Sequence, residues 1–134
     1  MIAYKNGNDL DLDAVIDVYR SSTLGERRPI ADRERMKAMI ARADIVVTAW
    51  DGAKLVGIAR SVSDFVYCTY LSDLAVHAAY RHRGVGRELV RRTQRLGGRA
   101  TIVLFAAPAA VDYYPRIGFV AGSGWMLREQ DRLR

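Results

Sequence analysis

A chain of 134 residues, half of them apolar and 27% charged, has the size and make-up of one globular domain, so 1–134 is expected to fold as a single unit without a linker. The formal charge of +6 is carried almost wholly by arginine, which fills all but three of the 21 basic positions; its guanidinium fork favours an anionic partner bearing phosphate or carboxylate. A lone Cys68 excludes an intramolecular disulfide, two histidines give no zinc-like spacing, and no signal-like or membrane-length apolar run is present, so the expectation is a cytoplasmic protein with no metal and no membrane association.

Ile2 to Lys5 reads as a short strand, and Asn6-Gly7-Asn8-Asp9 as turn chemistry. Leu12, Val15, Ile16 and Tyr19 then recur at i, i+3, i+4 and i+7, one face of a helix. A second helix is expected over Asp32 to Ala43, with Met36, Met39 and Ile40 inward, and Ser21 to Pro29 as the loop between them. Ile45 to Trp50 and Leu55 to Ala59 are β-rich runs joined by Asp51-Gly52-Ala53-Lys54, the pattern of a hairpin. The run from Phe65 to Val76 exceeds an ordinary strand and carries polar residues at its middle, which points to a bend or bulge. Val85, Leu89, Val90 and Leu96 define a third helix ended by Gly97-Gly98, followed by a strand over Thr101 to Phe105, a short helix from Pro108 through Tyr114, and a last strand around Trp125 to Leu127. The resulting order, β-α-α-β-β-β-α-β-α-β-β, implies an α/β fold with a mixed sheet flanked by helices.

The main chemical signal is positional. A strand ending at Leu74-Ala75-Val76 is followed by Arg81-His82-Arg83-Gly84-Val85-Gly86-Arg87, which opens a helix. A helix start presents unpaired amides and partial positive charge, and glycine lets a phosphate approach the backbone. Arg81, Arg83 and Arg87 add charge at that end, and Arg91, Arg92, Arg95 and Arg99 continue it along the helix. A Walker A loop is excluded because Gly-Lys-Ser/Thr is missing, and the dinucleotide fingerprint because Leu89 stands where its third glycine belongs.

The segment Leu74-Ala75-Val76 to Gly86 resembles motif A of the GNAT superfamily of N-acetyltransferases, whose Arg/Gln-x-x-Gly-x-Gly/Ala signature is matched by Arg81, Gly84 and Gly86. The stretch Ala109 to Phe119 is similar to the second signature of that family, with Tyr113-Tyr114 and Gly118-Phe119 in its fixed places. The element order fits the same family across the whole chain. The resemblance implies acetyl-CoA as cosubstrate: Leu74, Ala75 and Val76 along the pantetheine, and Arg81, His82, Arg83, Gly84, Val85, Gly86 and Arg87 around the pyrophosphate. It also implies Tyr114 as the acid that protonates the leaving thiolate.

Acyl transfer to an amine also needs a neutral amine, and an alkylammonium with a pKa near ~10 is almost wholly protonated at neutral pH. Asp73, immediately before Leu74, is the candidate base; a surface or hydrogen-bonding carboxylate is its alternative. His77, at the strand end, is a weaker one. For the acceptor, the resemblance points to the loop Ser21 to Pro29 and to the last strands, Gly122 to Trp125; Glu26 and Asp112 are candidates to attract a cation, and Trp125 and Tyr67 to line an aromatic-tolerant pocket, with a solvated carboxylate or a core aromatic as the alternative for each. The stretch Val47 to Arg60 followed by Ser63-Asp64 is similar to the plastid-type arylalkylamine (serotonin) acetyltransferases, although Gly25 is followed here by Glu26-Arg27-Arg28 where those relatives often carry an aromatic.

The expected function is therefore transfer of acetyl from acetyl-CoA to a small primary amine, such as an arylalkylamine or polyamine, by direct attack in a ternary complex. The expected oligomeric state is a monomer or homodimer. Alternatives are a degenerate acyl-CoA sensor and a protein or peptide acetyltransferase. Nucleic-acid binding through the arginine-lined helix would show as a steep salt dependence; it is not expected, because those arginines have a use at the cofactor.

Overall fold

The computed structural model describes residues 1–134, which form two compact units, Met1–Leu104 and Phe105–Arg134. The first holds β1 (Ile2–Asn6), α1 (Leu12–Ser21), a 3-10 turn over Leu24–Arg27, α2 (Arg33–Arg42), β2 (Ile45–Asp51), β3 (Lys54–Ser63), β4 (Cys68–Val76), α3 (Val85–Leu96) and β5 (Thr101–Val103). The strands make one sheet in chain order; β1 to β4 are antiparallel and β5 runs parallel to β4. This is the expected mixed α/β sheet with its helices.

Each face of the sheet is covered for a reason visible in the side chains. Val15, Ile16, Val18 and Tyr19 of α1, with Met36 and Ile40 of α2, are buried together with Val46, Ile58 and Ala75 of the sheet. The opposite face carries α3, whose Val85, Leu89, Val90 and Thr93 are buried. Small residues bring that helix close: a Cβ on Gly57 would stand 3.1 Å from Leu89 Cδ1 and 3.2 Å from Val85 Cγ1. The Asp32 carboxylate caps α2 by accepting the Arg35 amide at 3.1 Å.

The bend expected in the long run is a bulge on β4. Arg60 pairs with Asp73 while its neighbour Ser61 pairs with Leu71, so Ser72 is the extra residue. The strand starts at Cys68 rather than Phe65, because the Asp64 carboxylate accepts the amides of Val66, Tyr67 and Cys68 at 2.9, 2.8 and 3.1 Å. Phe65 turns through a left-handed φ of 63°. β5 likewise ends at Val103, short of Phe105.

In the second unit a 3-10 turn over Pro108–Ala110 leads to a short helix, α4 (Tyr113–Arg116). The two strands expected after it are not formed: residues 117–134 contain no strand. Gly118, Gly122 and Gly124 raise the entropic cost of extended pairing, and an apolar run of only Trp125-Met126-Leu127 offers little burial in return.

Candidate active site

The parting of β4 from β5 organises the site. The two strands pair only over Cys68–Tyr70 and Thr101–Val103, and β4 continues through the bulge to Val76, so the edge from Leu71 to Val76 has no strand partner on that side. Its end is pinned by the His77 amide, which donates to Val56 O at 2.8 Å. A backbone edge that is extended, held in place and without a strand partner can take up a ligand carrying amides of its own.

From there the chain reaches α3 through a turn in which His82 and Gly84 adopt left-handed φ of 62° and 78°. No side chain caps α3 at Gly84, and the first intrahelical bond runs from Glu88 N–H to Gly84 O. The amides of Val85, Gly86 and Arg87 are thus left for an incoming acceptor. Around Gly84 the space is open, with nothing within 4 Å of where a Cβ would be. Arg81, His82, Arg83 and Arg87 are exposed and Gly86 half-buried. These features suit an anionic group such as a pyrophosphate, held by amides and the helix dipole.

The charge at this turn is more local than the row of arginines implies. Arg91 and Arg92 both pair with Glu88, at 3.2 and 2.9 Å, and Arg92 also lies over the Tyr4 ring. Arg83 lies over Tyr80, whose hydroxyl donates to Asp51 at 2.5 Å. That bond raises the Tyr80 pKa above its ordinary value.

Asp73 has surroundings that oppose the role of base. It is fully buried, and each carboxylate oxygen takes two donors. Oδ2 accepts from Arg60 Nε at 2.5 Å and Tyr19 OH at 2.6 Å; Oδ1 accepts from Arg28 Nε at 2.6 Å and Ser72 Oγ at 3.1 Å. A carboxylate has about four acceptor directions, so none remains for an ammonium proton. Burial alone would push this carboxyl up, yet the bond and charge of Arg60, joined by Tyr19 and Arg28, hold it below the ordinary carboxylate range. Burial and the Asp73 charge in turn raise Tyr19 far above a normal phenol. Of the two readings of Asp73 open in the sequence, the geometry favours the hydrogen-bonding carboxylate. His77 is also engaged, its Nδ1 accepting the Ala79 amide at 3.2 Å.

The remaining candidates belong to both units. Glu26 is exposed in the Leu24–Arg27 turn. Tyr67 is 80% exposed and stands five residues before Ser72, roughly 16 Å along an extended strand; the structure does not bring it to the bulge. In the second unit, Tyr114 is half-buried in α4, with edge-to-face contacts to Tyr113 and Phe119 at 5.2 and 5.4 Å between centroids. Asp112 and Trp125 are exposed there, Trp125 by 92%. What sequence reasoning missed is Arg28 and Arg60, the partners of Asp73. An arginine inside the apolar run of β3 was the available signal for Arg60. A cavity of about 200 Å³ lined by Asn6, Asn8, Asp44, Phe65 and Leu96 lies at the C-terminal end of α3, away from the turn. No helix is long and apolar enough to cross a membrane.

Comparison with known proteins bears on the family and the fold. Residues 11–127 match the family model described as an acetyltransferase (GNAT) domain. The chain is 27% identical over 123 residues to the uncharacterized N-acetyltransferase ycf52 of Pyropia yezoensis, covering 87% of this chain and 67% of that protein. It is 32% identical over 100 residues to a ycf52-like protein of Prochlorococcus marinus, covering 69% of this chain and 54% of the relative. Among solved structures it is similar to a GNAT-family acetyltransferase of Streptococcus pneumoniae, with a TM-score of 0.72 and 22% identity over 96% of this chain and 100% of that one. It is also similar to AAC(6')-Iy in complex with a CoA-acetylneamine bisubstrate analogue, with a TM-score of 0.74 and 15% identity over 98% of this chain and 99% of that one. At such identities the solved structures establish the fold.

Proposed function

The chain belongs to the acetyltransferase (GNAT) domain family, an acyltransferase by class, and we propose that it transfers acetyl from acetyl-CoA to the primary amine of a small molecule by direct attack in a ternary complex. The observation that carries this reading is the unpaired β4 edge running from a bulge toward an uncapped helix start. In it, Leu74 to Val76 lie along the pantetheine, and the amides from Arg81 to Arg87 hold the pyrophosphate. The amine nitrogen attacks the thioester carbonyl carbon, the carbon–sulfur bond breaks, and the Tyr114 hydroxyl gives its proton to the thiolate. With Asp73 closed to it, the proton lost by the ammonium passes to solvent, and the second proton, shed by the nitrogen after attack, returns through solvent to the Tyr114 phenolate.

An amine acceptor is supported by fold neighbours solved with aminoglycosides, among them an acetyltransferase from a soil metagenomic sample in complex with sisomicin. Of the acceptor kinds suggested by the sequence, electrostatics favours the less charged arylalkylamine over a polyamine. Arg28 and Arg60 place two guanidiniums against the single Asp73 carboxylate, and the uncompensated positive charge repels an acceptor with several cations. In this reading the chain works in a reducing, cytoplasmic setting as a monomer or homodimer, with Cys68 free and exposed.

The test is binding of acetyl-CoA by calorimetry, followed by thiol release across a panel of arylalkylamines, polyamines, aminoglycosides and peptides. Expected are binding and fastest turnover with monoamines. Absence of both binding and thiol release would sink the enzyme reading.

A further inference from the structure

Outside the cofactor turn, the most connected feature of the molecule is the group of polar side chains around the β4 bulge. It draws on four elements at once: Tyr19 from α1, Arg28 from the loop between α1 and α2, Arg60 from β3, and Ser72 with Asp73 from β4. Its members differ in what they hold. Arg60 is 10% exposed in its side chain; it donates to Asp73 Oδ2 and to Ser72 Oγ at 3.0 Å, and reaches the Met39 carbonyl at 3.4 Å. It binds strand to strand and sheet to α2. Arg28 is 21% exposed in its side chain and sits on a segment with no regular pairing of its own. It spans two points of the bulge, Nε to Asp73 Oδ1 and Nη2 to Ser72 O, each at 2.6 Å, while Nη1 donates to its own neighbour Arg27 O at 2.7 Å.

We propose that Arg28 is a positioning residue: its guanidinium fastens the loop from Ser21 to Pro29 onto the β4 bulge and so fixes the acceptor side of the site in a preformed geometry. The proposal rests on the acetyltransferase reading for what the loop does, though not for the clamp itself. Three observations separate this from a general structural role. First, Asp73 does not depend on Arg28: without it, Oδ2 keeps Arg60 and Tyr19 and Oδ1 keeps Ser72 Oγ, so the buried carboxylate stays paired and the sheet keeps its bulge. Second, the other end of the loop is tied to the same strand's exit, where Ser21 Oγ accepts the Ala78 amide at 3.0 Å. Arg28 is thus the second of two hydrogen-bonded fastenings that tie the loop to β4 and its exit. Third, the loop between them is already tightly wound. Thr23 adopts a left-handed φ of 73°, Leu24 is buried, and a Cβ on Gly25 would meet Ile30 Cδ1 at 3.0 Å and Arg20 Cα at 3.2 Å. A loop so wound moves as a body when one fastening is cut.

A lysine cannot substitute. A single ammonium on a flexible stem does not bridge a carboxylate oxygen and a carbonyl oxygen as the planar fork does.

The experiment compares wild type with Arg28→Ala, Arg28→Lys and Arg60→Met by amide hydrogen exchange and, where turnover is found, by steady-state kinetics. For Arg28→Ala the expected result is faster exchange confined to residues 21–31, with β3 and β4 amides still protected and the acetyl-CoA Kd unchanged. The kcat/KM for the acceptor is expected to fall by about 10- to 100-fold, the upper figure being the scale for misplacing a reactant by around an ångström, with the KM for acetyl-CoA unchanged. Arg28→Lys should resemble Arg28→Ala, and Arg60→Met should instead loosen β3 and β4. Unchanged exchange in 21–31, or loosening that spreads through the sheet, overturns the proposal; so does a parallel loss of acetyl-CoA affinity, or full rescue by lysine. If wild type acetylates no amine, the enzyme reading fails, while hydrogen exchange still decides the clamp.

Discussion

Arg60 and Asp73 face each other as direct partners across β3 and β4, with Nε and Oδ2 2.5 Å apart in the buried interior. Because Ser72 bulges out immediately before Asp73, the carboxylate points to the α1 side of the sheet, where Tyr19 and Arg28 complete its shell. The bulge is therefore built over a buried ion pair that ties β3 to β4.

Asp73→Asn leaves two guanidiniums without their charge partner, and breaking a buried pair costs about 3–5 kcal/mol. The pH dependence follows from the depressed carboxyl. Its contribution is fully present above the unfolded value of about 3.9 and is lost as pH falls through the lower folded value. Urea melts at a series of pH values should show wild type losing stability in acid, and Asp73→Asn less stable near neutrality with a flatter acid limb. Equal stability of the two at pH 7 would contradict the shell of donors around Asp73.

Gly84 holds a left-handed φ of 78° in open space, so its replacement acts through backbone strain rather than collision. Gly84→Ala should destabilise by about 1–2 kcal/mol and weaken acetyl-CoA binding by shifting the first-turn amides. Calorimetric titration of the variant checks this; an unchanged Kd would detach the turn from the cofactor.

Tyr114→Phe tests both the proposed acid and the sensor alternative. Removing a general acid lowers kcat by about 10²- to 10⁴-fold, and acetyl-CoA binding should be retained. Thiol release with the best acceptor is the readout. Equal turnover of wild type and variant removes Tyr114 from the chemistry, and binding with equal inertness of both points to a sensor.

Ser61 Oγ is buried with no hydrogen-bond partner, beside the bulge and opposite Leu71. An unsatisfied buried hydroxyl costs about 1–3 kcal/mol relative to solvent. Ser61→Ala should therefore leave stability unchanged or raise it, measurable as a shift in the urea midpoint at constant slope. A marked loss would reveal a partner for the hydroxyl.

Local patterns were legible in the sequence wherever one element decides them. The apolar period of α1, the Asp51-Gly52-Ala53-Lys54 turn between β2 and β3, the Gly97-Gly98 stop of α3 and the Gly84 turn each follow from residues close together in the chain. The length of the run ending at Val76 also announced a bulge. Two expectations failed where locality gave out. The Phe65 to Tyr67 segment has strand-forming side chains, but Asp64 captures its amides first. The run Trp125 to Leu127 carries the residues of a strand and forms none.

The sequence by itself determined the order of elements through α4, the glycine turn before α3 and the family signatures, because each is written in neighbouring residues. Only the tertiary structure decided what surrounds Asp73. Its face of the sheet depends on the extra residue Ser72, and its partners arrive from 13, 45 and 54 positions away. A carboxylate reads as a base or as a buttress according to the charges packed around it, and that packing exists only after the chain has folded.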